Sequence, residues 1–124
     1  MDEISVHIIP HKNQKYSTCG DYWELGERWD VRISKTKDWR HSYLVLIHEL
    51  IEMALTKNDG VNWDDIDKFD MEGDGKDHPD PGTLKSAPYH KQHLLATVIE
   101  RRLAKMLNVD WDEYNEALDS LEYK

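Results

Sequence analysis

Only one cysteine, Cys19, occurs in the 124 residues. No intramolecular disulfide can form, a CxxC zinc site is excluded, and a reducing compartment is the expected home. Phenylalanine is equally scarce, with Phe69 alone against five tryptophans and six tyrosines, so the core is expected to use large rings with polar handles. No apolar run approaches the roughly 18 residues of a membrane span. The start, Met1-Asp2-Glu3-Ile4, lacks a basic n-region. The expectation is a cytoplasmic protein with no membrane segment. Positive charge is also short: 16 basic residues against 25 acidic ones give a formal net charge of -9. The basic residues do not cluster, which argues against a nucleic-acid partner. Arg101, Arg102 and Lys105, the nearest to a group, read as ordinary helix surface. Internal repeats are absent. The length suits one domain spanning 1–124, with a β-rich part at 1–36 and a helical part at 38–124.

The most apolar segment, Ser42 to Leu55, is where chemistry gathers. At 100° per residue, Leu44, Leu46, Ile47, Leu50, Ile51, Met53, Ala54 and Leu55 cover more than half of a helix circumference, so this helix is expected to be mostly buried. The remaining polar stripe holds His48, Glu49 and Glu52. Ionisable groups on a buried helix must reach water, each other or a cation. His48 and Glu52 stand at i and i+4, the spacing by which one helix offers two ligands to a zinc ion. Glu49 falls beside them, where a general base for water is needed.

The sequence His48-Glu49-Leu50-Ile51-Glu52 resembles the HExxH helix of the zincin metallopeptidases, with glutamate in place of the second histidine. Carboxylate oxygen is an acceptable zinc ligand. The resemblance implies a zincin-like fold, a zinc ion, hydrolase or peptidase activity on a peptide substrate, and Glu49 as the catalytic base.

The rest of the chain supplies a frame. Ile4 to Ile9 alternates like a strand, and Asp21–Leu25 with Trp29–Ile33 flank Gly26-Glu27-Arg28 as a hairpin. A small N-terminal antiparallel sheet of two or three strands is expected. Asp38 is placed to cap the helix of His48, and Asn58-Asp59-Gly60 to stop it. Trp63, Ile66 and Phe69 predict a short helix. Met71 to Pro88 is an acidic Gly/Pro/Asp loop. Asp70, Glu72, Asp74 and Gly75 match the start of a calcium loop, but Pro81 stands where glutamate is required and Pro79 and Pro81 block the exiting helix.

Ser86 and Pro88 are placed to open a long helix with Leu94, Leu95, Val98, Ile99, Leu103, Met106 and Leu107 toward the core. His90, His93, Thr97 and Glu100 share its other side. Asp110 is placed to cap a last helix carrying Trp111, Tyr114, Leu118 and Leu121. The whole is an α+β arrangement with three or four helices after the sheet.

Three metal ligands with an open position follow if His90 or His93 joins His48 and Glu52, and a closed structural site if both do. Asp67 or Asp70 is placed to orient a ligand histidine. His7, His11, His41 and His78 lack partner spacing and are expected on the surface.

Two other readings remain. Glu49-Leu50-Ile51-Glu52 followed by Asp67-Lys68-Phe69-Asp70 resembles the paired carboxylates of the MazG-like all-α nucleotide pyrophosphohydrolases, which implies Mg2+ held against a nucleotide by Glu49, Glu52, Asp67 and Asp70. The third reading is a non-enzymatic acidic accessory or binding protein. The motifs Gly20-Asp21-Tyr22-Trp23, Asp38-Trp39-Arg40 and Ala87-Pro88-Tyr89-His90-Lys91-Gln92-His93, with that of His48, are similar to small uncharacterised bacteriophage and prophage proteins. That resemblance implies a bacterial host cytoplasm and no particular activity. Oligomeric state is not legible.

Overall fold

The computed structural model describes residues 1–123. Three strands, β1 (Glu3–Ile9), β2 (Gly20–Leu25) and β3 (Arg28–Ser34), precede four helices: α1 (Trp39–Asn58), α2 (Trp63–Met71), α3 (His90–Met106) and α4 (Trp111–Asp119). The α+β expectation is met.

One detail of the sheet differs. The expected hairpin forms, β2 against β3, turning at Gly26 with φ 59°. β1, however, joins β3 in parallel, Val6 beside Val31 and Ile8 beside Ile33, so the sheet is mixed with the order β1-β3-β2. The segment between β1 and β2 explains this, because it crosses the end of β3 instead of turning back on β1. His11 Nδ1 lies 2.7 Å from Ser34 Oγ, and Gln14 Nε2 donates to Ser34 Oγ at 3.0 Å and to Cys19 O at 3.1 Å. His11, expected on the surface, is therefore buried.

α1 begins where Asp38 accepts the Arg40 amide at 3.0 Å and ends before Gly60, φ 74°. It packs across β3 and β2 and leaves β1 uncovered. Val31 and Ile33 from the sheet and Leu44 and Met53 from α1, all fully buried, form the centre of the core. α2 is held to α1 by Trp63, whose indole donates to Thr56 Oγ1 at 2.9 Å while its ring meets Tyr22 and Trp29 edge-on.

The largest departure is on α3. It starts at His90 after a turn, not at Ser86, and of its expected core face only Leu103 and Leu107 pack, partly buried, against the core. Leu94, Leu95, Val98, Ile99 and Met106 are 42–77% exposed, while Gln92, His93, Ala96, Glu100 and Ala104 face inward. α3 runs antiparallel to α1: Gln92 reaches Asp59 at 2.8 Å at one end, and Arg40 donates to the Leu107 carbonyl at 3.0 Å at the other. Ala96 and Ala104 let the two helices approach closely, and His93 and Glu100 find charged partners inside. Periodicity counts apolar residues; it cannot see that a polar stripe has complementary partners waiting. No described helix is long and apolar enough to cross a membrane.

Candidate metal centre

Three donor atoms from two helices converge where α1 faces α3. His48 Nε2 lies 3.1 Å from Glu52 Oε2 and 3.1 Å from His93 Nδ1, and His93 Nδ1 lies 3.0 Å from Glu52 Oε2. All three residues are buried, between 4% and 7% exposed. Among the described residues they form the only trio whose donors lie close enough to share one ion.

The outer contacts aim these donors. His48 presents Nε2 to the centre because its Nδ1 donates to Glu100 Oε1 at 2.7 Å, and Glu100 is steadied by the Tyr114 hydroxyl at 2.5 Å. His93 presents Nδ1 while its Nε2 pairs with Asp80 Oδ1 at 3.2 Å. Glu52 presents Oε2 because the Tyr22 hydroxyl occupies Oε1 at 2.8 Å. Carboxylates behind both imidazoles are the arrangement that fixes tautomer and ring orientation at zinc sites.

The donor set suits zinc. Tetrahedral zinc at about 2.0–2.1 Å per bond needs donors about 3.3–3.4 Å apart, so these three have to open by only a few tenths of an ångström. Without an ion, protons hold the cluster together. Burial opposes the His48 imidazolium, but bonds to Glu100 and Glu52 outweigh it and raise the pKa well above the usual value. His93, likewise opposed by burial, is raised to about 9 by Asp80 and Glu52. Burial would raise Glu52, yet the two imidazoles hold it down at about 2.

Glu49 lies one residue along α1, in the wall of a cavity of about 260 Å³ that the trio also lines. Burial first, and the charge of Glu52 second, push its carboxyl well above the ordinary range. The backbone of Gly20 comes so close that a Cβ there would lie 2.6 Å from Glu49 Oε1.

The remaining candidates separate clearly. His90 is not brought into the trio: its Nδ1 donates to the Gly82 carbonyl at 2.9 Å, tying the loop to α3. Neither Asp67 nor Asp70 orients a ligand histidine. Asp67 pairs with Lys15 at 3.3 Å and Tyr16, and Asp70 accepts the Tyr89 hydroxyl at 2.8 Å. The histidine-orienting roles belong instead to Glu100 and Asp80. Glu100 shares the inward face of His93 at i+7, a signal present in the sequence. Asp80 lies in an irregular loop and has no such signal.

No protein-family model matches the chain, and no curated protein or solved structure does so either.

Proposed function

We propose that this chain is a zinc-binding protein of zincin-like type, and that its centre serves a hydrolase. The observation that carries this reading is the meeting of His48 Nε2, Glu52 Oε2 and His93 Nδ1 beside an open cavity, with each donor aimed by a second hydrogen bond. Three protein ligands facing a cavity leave a position for water or substrate.

Zinc held there supplies a Lewis acid and lowers the pKa of a nearby water. The protein's own residues do the rest. Glu100 and Asp80 accept the remaining N–H of each imidazole and so hold both rings oriented once the cluster's protons are displaced. Glu49, whose carboxylate accepts no hydrogen bond from the described residues, takes a proton from water and returns it to the leaving group.

Metal analysis of the untagged protein, followed by assay on a fluorogenic peptide library, tests the proposal. About one zinc per chain is expected, lost in His48→Ala and in His93→Ala. Hydrolysis should fall by about 10²–10⁴-fold in Glu49→Gln, with zinc retained. Protein that binds no metal but loses stability in both histidine variants would instead mark the cluster as a structural ion-pair network.

A further inference from the structure

A second wall of the same cavity is chemically one-sided. Asp21 and Asp70, 5% and 6% exposed, line it together with Glu49, and among the described residues no lysine or arginine lines it. Asp21 Oδ1 is satisfied by the Tyr16 hydroxyl at 2.6 Å and the Tyr22 amide at 2.9 Å. Its Oδ2 is buried and accepts no hydrogen bond from the described residues. Its one ion pair among the described residues is a long one, to Lys15 Nζ at 3.8 Å, and Lys15 sits closer to Asp67, at 3.3 Å. Asp70 has one phenol, Tyr89, for its whole carboxylate. Burial raises Asp21 to about 6, Lys15 notwithstanding, and Asp70 to about 7.

Among the described residues only the trio brings three donor atoms within reach of one ion, so this wall does not offer a second such metal site. Two carboxylates in one cavity wall match an organic cation with several N–H donors. The rings of Tyr16, Tyr22 and Tyr89 around them add surfaces on which such a cation is favoured.

We propose that Asp21 and Asp70 form a subsite for an organic cation, the guanidinium or ammonium of a basic side chain. This rests on the trio being the reaction centre and names the substrate class: a peptide or amide carrying arginine or lysine next to the bond presented to Glu49. A nucleotide or other phosphate would meet only carboxylates in this wall.

The test is calorimetric titration of the full chain, with zinc added, using N-acetylargininamide and its uncharged isostere N-acetylcitrullinamide. The arginine compound should bind at least about tenfold tighter. Asp21→Asn and Asp70→Asn should each erase most of that preference while leaving zinc content and circular dichroism unchanged. Asparagine keeps the oxygen that Tyr16 or Tyr89 donates to; should the Asp21 variant fail to fold, the Asp70 variant decides alone. Equal binding of the two compounds, preference unchanged in the variants, or displacement of the arginine compound by inorganic phosphate overturns the subsite. Zinc measured on the same samples separates the two readings. Discrimination without any bound zinc sinks the hydrolase and leaves the cation subsite standing, and zinc without discrimination does the reverse.

Discussion

Glu100 holds His48 from behind: its Oε1 lies 2.7 Å from Nδ1, across 52 residues of sequence, and so turns Nε2 toward Glu52 and His93. Replacing the carboxylate by an amide, Glu100→Gln, removes the charge that favours one tautomer and lowers ligand basicity. Zinc affinity should drop about 10–100-fold with the fold intact. Competition titration against a fluorescent chelator measures it, and an unchanged affinity would deny Glu100 this role.

Gly82 packs its backbone against the His93 ring, so that a Cβ there would overlap Cγ and Nδ1. Gly82→Ala should therefore push His93 out of line, with a loss of at least tenfold in zinc affinity and about 1–3 kcal/mol in stability. His90→Ala, which cuts only the bond to the Gly82 carbonyl, should keep zinc. The two variants together distinguish a ligand from a loop tether.

The exposed leucines of α3 make a stability test of its orientation. Ala96 and Ala104 are 0% and 1% exposed, so leucine at either should cost about 1–3 kcal/mol by overpacking against α1. Serine at Leu95 or Val98, which are 45% and 57% exposed, should stay within about 0.5 kcal/mol. Chemical denaturation of the four variants decides; the opposite ranking would put the leucines inside.

Asp70 gives the metal-free protein a pH dependence of definite sign. Its pKa rises from 3.8 to about 7 in the fold, chiefly by burial, so the folded state binds more protons than the unfolded one between about pH 4 and 7. Stability from this group is full below that window and declines as pH rises through it. Asp70→Asn should flatten the slope and stabilise the protein at pH 8 by on the order of 1–2 kcal/mol. Melting curves from pH 4 to 8 check this, and a slope unaffected by the substitution would contradict it.

A good part of this was legible in the chain. The i, i+4 pair of His48 and Glu52 puts both donors on one helix face by geometry alone, and the hairpin follows from Gly26 between two alternating segments. Asp38 and Asp110 cap the helices they precede, as short polar side chains do. These are local properties, set by spacing and by torsion preferences within a few residues.

What remained depended on partners far away in sequence. Whether His90 or His93 joins the cluster, whether β1 runs with or against β3, and which side of α3 turns inward are set by long-range packing. His93 is a candidate ligand because Glu52 and Asp80 meet it. Glu100 is buried because His48 and Tyr114 receive it, and Leu94 and Leu95 lie outside because that space inside α3 is already taken by matched charge. Local spacing thus determined the first two donors on α1, whereas the third donor and the groups that aim all three were decided by tertiary structure, since a buried charge is tolerated only where the fold delivers its counterpart.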